Sequence, residues 1–388
     1  MKKIYYLDHA ATSFPKAPGV GSEMKRYIDS VGVNINRSTY DASAQAATVA
    51  LETREQLCRL FGFSDVTHTL FTPGQTYSLN LVIQGLLAAG GHAIVSSMEH
   101  NAVMRPLTQL AAHGATFTRI PVAPDGAFDF SALKHAFRPE TRLCVMTHAS
   151  NVSGALLPIA RIGQLCRAHG VPLLLDAAQT AGHVAIDFSA LGLSALAVPG
   201  HKGLLGPGGI GALLLEPALA KRLSPLVTGG TGSASDSETQ PSYMPDRFES
   251  GTLNLPGIYG LHAALRFVLD TKVDTFCAQE HALTERFLDG VSRLARVRVH
   301  GGRAAYGRVG VVSCTFDGLD SADAAFRLEN EFGVLTRCGL HCAPSAHRSL
   351  GTFPQGAVRF SFGYGNTAPD IDAALRALSK MMQSHATS

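Results

Sequence analysis

AVPGHKGLLGPGGIGALLL, residues 197–215, sets a single lysine among prolines, glycines and aliphatic residues. An exposed lysine keeps polar company, because its ammonium loses strong hydration when enclosed. Lys202 lacks that company. A phosphate-cradling loop needs glycines before the lysine and Ser or Thr after it, whereas here Gly203 follows and most glycines come later, so that reading fails on order. Gly206, Gly208 and Gly211 match G-x-G-x-x-G. A dinucleotide fingerprint must open a helix, however, and this one runs into the strand-like GALLLE. Two readings remain: an enclosed amine with lowered pKa, ready to attack a carbonyl, and a lysine snorkelling out of a loop.

Outward from this stretch, residues 43–216 alternate between helical and strand periods, the pattern of a sheet with crossover helices. Strands are predicted at 92–97, 116–122, 142–149, 172–178, 195–199 and 211–216, with helices at 75–87 and 158–170. Residues 229–252 are rich in Gly, Ser, Thr and Pro and read as an irregular active-site or interface loop. The expected division is an N-terminal segment (1–16), a large domain (17–256) and a small α+β domain (257–388). The small domain has strands at 309–316 and 358–365 and a closing helix through Leu375, Leu378, Met381 and Met382. Ligands of an open α/β sheet sit beyond the carboxyl ends of its strands. Glu99, His100 and Asn101, then Asn151, then Asp176 and Gln179, then His201 and Lys202 each follow a predicted strand.

The chain has 388 residues, 46% of them hydrophobic, a formal charge of +3 and no basic run, which points to a globular protein acting on small molecules rather than on nucleic acid or a membrane. The start is too short for a signal peptide and no apolar stretch approaches a membrane span, so a cytoplasmic protein is expected. Seven scattered cysteines argue for a reducing compartment. Cys58, Cys144, Cys166, Cys277 and Cys314 lie in periodic apolar segments and read as core residues. Cys338 and Cys342 fall in RCGLHCAP, which reads as a loop.

Pyridoxal phosphate needs a lysine, an anionic partner for its pyridine nitrogen, a group over the ring face and a phosphate cup. Lys202, Asp176, His100 and the helix start at Gly74-Gln75-Thr76 are candidates. SMEHNA (97–102), THASNVSG (147–154), LLLDAAQTAGH (173–183), PGHKGLLGPGGIG (199–211), RFESGT (247–252) and RCGLHCAP (337–344), with LDHAATS (7–13), together resemble the class V aminotransferases. These are fold-type I pyridoxal-phosphate enzymes, and more narrowly the motifs resemble the cysteine desulfurase and selenocysteine lyase branch with a short cysteine-bearing loop.

The resemblance implies that Lys202 is the Schiff-base lysine, Asp176 the partner of the pyridine nitrogen and Gln179 a donor to the phenolic oxygen. His100 would stack on the ring and exchange protons, Asn151 would sit beside the cofactor, and Gln75, Thr76 and His201 would bind phosphate. Thr252 would reach in from a second subunit, which implies a homodimer. Arg359 would bind the substrate carboxylate, and the spacing of Val358, Phe360, Phe362 and Tyr364 leaves it on the opposite strand face. Cys342 would take sulfur from L-cysteine as a persulfide, helped by Arg337, His341, Arg348 and Arg359, and pass it to a protein or thiol acceptor that comes to the loop. Selenocysteine lyase, aminotransferase and C–S lyase activities are the alternatives within the family.

Two positions depart from the pattern. Pro199 and Gly200 lack the hydroxyl that relatives place before the histidine, and Tyr40 stands where many have histidine. Structural rivals also exist: a capping His100, an N-capping Asp176, an ion-paired Arg359, and a metal set of Cys338, His341, Cys342 and His347, whose spacing fits no standard zinc pattern. No metal is expected.

Overall fold

A computed structural model describes residues 3–35, 40–302, 304–305 and 307–386. Strand β1 (Tyr5–Tyr6) opens the chain. A seven-stranded sheet follows, formed by β2 (Thr69–Thr72), β3 (Gly91–Ser96), β4 (Ala115–Ile120), β5 (Thr141–Thr147), β6 (Leu173–Asp176), β7 (Ala195–Pro199) and β8 (Gly211–Leu215). Its order is β2-β8-β7-β6-β5-β3-β4, and it is parallel except that β8 runs against both β2 and β7. This is the mostly parallel α/β sheet expected for fold type I.

The central strands read as continuous apolar runs because helices cover both faces. Leu173, Leu175, Leu196, Val198 and Leu214 face a core shared with helices Asp41–Phe61, Ile159–Ala168 and Leu255–Thr271. Leu174, Ala195, Ala197, Leu213 and Leu215 face helices Gln75–Leu87 and Asn101–Ala111. Each strand alternates between these two cores, as its period of two requires.

The second sheet contains β9 (Val297–His300) and β10 (Val311–Phe316), with β11 (Val334–Leu335) lying apart from it beside β1, and then β12 (Arg337–Gly339) and β13 (Ala357–Ser361). Its order is β12-β13-β10-β9, antiparallel throughout. Val312, Val358 and Phe360 pack beneath helices Val273–Val291, Ser321–Phe332 and Ala368–Ala386. Strand β1 pairs in parallel with β11, so the first residues of the chain dock on the C-terminal unit.

Two local expectations are corrected. RCGLHCAP is not all loop: Arg337, Cys338 and Gly339 pair with Arg359, Val358 and Ala357, and a helix spans Pro344–Leu350. Tertiary pairing overrides the turn-rich composition there. Cys277 is exposed, not core. The buried stripe of its helix runs through Phe276, Glu280, Leu283 and Phe287, and Cys277 falls one residue past it. Cys58, Cys144, Cys166 and Cys314 are buried as expected.

A paired charge ties the sheet edge to the long irregular segment. Arg54 donates from Nη2 to Glu249 Oε2 (2.7 Å) and from Nη1 to Oε1 (3.0 Å), while Oε1 also accepts the Phe71 N–H (2.6 Å). Replacing Arg54 with alanine strands a carboxylate that is nearly enclosed, and is expected to cost about 3–5 kcal/mol. The measurement is the shift of a denaturant midpoint; a loss under about 1 kcal/mol, the range of exposed pairs, would contradict it.

Candidate functional site

Every expected site residue except Thr252 and Arg348 lines one cavity of about 560 Å³ at the carboxyl rim of the large sheet, and Arg348 lies instead over the Phe353 ring at 4.1 Å. Lys202 follows β7, Asp176 ends β6, Asn151 lies beyond β5, His100 beyond β3, and Gln75 and Thr76 open the helix after β2. The C-terminal unit closes the cavity with Arg337, His341, Cys342 and Arg359. Thr252 is exposed and borders a separate depression with Phe71, Pro73 and Tyr77. Tyr40 is exposed and lies off the cavity lining.

Burial shapes the charges. The Lys202 amine is brought down to about 8 by enclosure, against the attraction of Asp176. The Asp176 carboxyl is pushed up by burial, which the Ala178 N–H, the Lys202 charge and the Gln75 amide partly offset. Gln75 Nε2 donates to Asp176 Oδ1 (2.6 Å) and to the Ala197 carbonyl (3.1 Å), leaving its buried Oε1 without a partner. Burial and the nearby Lys202 and Arg359 hold His100 down at about 4, so its ring is neutral. Burial, Lys202 and Lys16 do the same to His201.

The structural rivals raised by the sequence are real, and they coexist with places in the cavity. His100 caps its helix: Nδ1 accepts the Ala102 N–H (3.0 Å). That bond fixes the tautomer, with the ring proton on Nε2. Asp176 Oδ1 accepts the Ala178 N–H (2.9 Å), a local turn that orients the carboxylate. Arg359, only 3% exposed, donates from Nη2 to Asp8 (2.8 Å) and from Nη1 to the Asn151 carbonyl (3.2 Å), while its buried Nε has no partner. Its strand neighbours Val358 and Phe360 point into the opposite core. Gln179 Nε2 donates to the Ala10 carbonyl (3.0 Å).

Sequence reasoning gave Asp8 no part in the site, and it placed Asn101 at the rim without foreseeing the bond from its N–H to the Cys342 carbonyl (2.7 Å). Asp8 bridges Arg359 and Arg337, the latter at 3.3 Å, from within LDHAATS. Asn101 contributes its backbone N–H, which accompanies almost any residue type and so leaves no compositional trace. Among the described residues no group of three or more His, Cys, Asp or Glu is arranged to hold a metal ion. His341 and His347 hydrogen-bond to each other instead (3.2 Å). Among those residues, no helix is long and apolar enough to cross a membrane.

Residues 5–374 match the family model of aminotransferase class-V. A probable cysteine desulfurase of Halalkalibacterium halodurans is 31% identical, over 97% of this chain and 93% of its own. A cysteine desulfurase of Salmonella agona is 31% identical with the same coverage. Among solved structures, the apo cysteine desulfurase of Thermococcus onnurineus superposes with a TM-score of 0.92 at 28% identity, covering 98% of this chain and 95% of that one. The cysteine desulfurase CsdA of Escherichia coli gives 0.88 at 27%, with the same coverage.

Proposed function

Because the chain belongs to the aminotransferase class-V family, we propose that it is a pyridoxal 5′-phosphate-dependent cysteine desulfurase. It converts L-cysteine to L-alanine while Cys342 keeps the sulfur as a persulfide. The observation that carries this reading is a thiol and an amine, Cys342 and Lys202, facing one cavity together with Arg359.

The residues fit the cofactor. The helix start at Gly74 has no side-chain cap, so its free N–H groups suit a phosphate, which Gln75, Thr76 and His201 would help to hold. Asp176, 2% exposed, would pair a pyridinium nitrogen. Gln179 would donate to the phenolic oxygen, His100 would cover the ring and Asn151 would flank it. Pro199 lends no hydroxyl. The bound aldehyde would supply an electron sink at the substrate Cα.

The chain's own groups do the rest. Arg359 offers the substrate carboxylate its unpartnered Nε edge. Lys202 Nζ would hold the cofactor and carry the Cα proton, while His100 keeps a proton at Nε2 for exchange with substrate. Cys342 Sγ bonds to the substrate sulfur as the carbon–sulfur bond breaks, with its electron pair staying on carbon. One cysteine and one thiol thus give one alanine and one persulfide. Exposed Cys342 then delivers the sulfur to a protein or thiol acceptor. In a homodimer, Thr252 would serve the partner's cavity.

Product analysis after incubation with L-cysteine, L-selenocysteine and cysteine sulfinate tests the reading. Alanine equal to sulfur released supports it; pyruvate with ammonia, or a keto acid, would replace it with a lyase or an aminotransferase. The lowered Lys202 pKa adds a pH dependence. The neutral amine grows as pH rises through about 8. Uptake of pyridoxal phosphate by the apoprotein is therefore expected to quicken about fivefold from pH 7 to pH 8 and then flatten. Stopped-flow absorbance measures it, and a level rate over that span would contradict an amine titrating there.

A further inference from the structure

Cys342 occupies an uncommon backbone. His341 (φ 48°) and Cys342 (φ 55°) are consecutive residues in the left-handed region, which L side chains disfavour. Such a conformation persists only where its surroundings over-determine it. Here both adjoining carbonyls are held from the large domain's rim. Asn151 Nδ2 donates to the His341 carbonyl (2.7 Å), and the Asn101 N–H donates to the Cys342 carbonyl (2.7 Å).

A buried side-chain series braces the same segment from behind. His341 is 8% exposed, Thr352 6% and His347 0%. His341 Nε2 faces the Arg337 carbonyl at 3.2 Å, so that nitrogen must be the donor. Burial first, and the nearby Arg359 second, hold His341 down at about 3, and burial holds His347 at about 4, so both rings are neutral and each carries one proton. With its proton on Nε2, His341 Nδ1 can only accept, and His347 Nε2 donates to it at 3.2 Å. His347 Nδ1 must then accept from the Thr352 hydroxyl at 2.7 Å. The series has a single direction, from Thr352 through His347 and His341 to the Arg337 carbonyl. It spans the thiol from β12 on one side to the turn after helix Pro344–Leu350 on the other.

We propose that Thr352, His347 and His341 form a directional hydrogen-bonded clasp that, with Asn101 and Asn151, sets the left-handed backbone at 341–342 and so fixes where the Cys342 thiol stands. They are positioning residues, and this role rests on the reading of Cys342 as the sulfur acceptor.

The holoenzyme tests it. His347→Leu removes the donor to His341; persulfide formation from L-cysteine is expected to fall about tenfold or more, as for a nucleophile displaced by about an ångström. KM should stay within about twofold and the absorbance change on adding L-cysteine should remain, marking loss at the sulfur step alone. His347→Gln, which keeps a donor near the Nε2 position, should recover to within about threefold of the parent rate. A parent-like rate in His347→Leu, or equal damage in the leucine and glutamine variants, overturns the clasp. If His347→Leu fails to fold, Thr352→Val carries the test. It keeps the shape and removes the first donor of the series, with an expected loss of about threefold, and an unchanged rate overturns the proposal. A parent protein that forms no alanine would instead overturn the functional reading. The clasp is then read without turnover, from Cys342 alkylation by iodoacetamide followed by peptide mass. That rate should rise about threefold or more in His347→Leu as the segment loosens, and no change would overturn the clasp.

Discussion

Changing Lys202 to alanine is expected to lower alanine formation from L-cysteine by about 10²- to 10⁴-fold, the range for loss of a positioned general base. Among the described residues Lys202 is the one lysine lining the cavity, so no neighbouring amine stands ready to replace it. Its burial also equips it for the work: an amine at its ordinary pKa would be almost wholly protonated at neutral pH, whereas one near 8 has a usable neutral fraction. Borohydride reduction of the parent protein with pyridoxal phosphate, followed by peptide mapping, should place the adduct on residue 202 and find none in the variant. Activity of the variant within about tenfold of the parent would move the base elsewhere.

Changing Cys342 to alanine should reduce sulfur release on the order of 10³-fold, because a positioned, oriented thiol is exchanged for dilute thiols in solution. The early absorbance change on adding L-cysteine should survive, since Lys202, Asp176 and Arg359 are untouched. Cys338 is the matched control. It alternates with Arg337 on β12 and is not part of the cavity lining, so its replacement should leave sulfur release near the parent level. Undiminished sulfur release from Cys342→Ala would remove it from the mechanism.

The architecture was readable where the chain is most regular. The strand at 195–199 and the helix at 75–87 occupy the predicted residues, because buried parallel strands and amphipathic helices leave strong periods. Residues following strand ends gather at one rim for the same reason: the topology carries them there. The cysteine segment was harder, since strand β12 owes its form to pairing with β13, a partner some twenty residues away in sequence whose register the turn-rich composition hides. Asp8 was hidden differently. Its importance lies in two arginines, neither near it in sequence, and no local pattern announces such a contact. His100, Asp176 and Arg359 each combine a structural bond with a place in the cavity lining. The helix cap that occupies His100 Nδ1 is what leaves the proton on the other nitrogen.

Asp8 and Arg359 stand 351 residues apart in the chain. On a ribosome Arg359 follows Asp8 by 351 residues, so every strand of the large sheet is made before that ion pair can form. The large sheet can collapse early, and the wall bearing Cys342 joins it later. A nascent product ending before β12 would therefore possess Lys202 without Cys342 held opposite it.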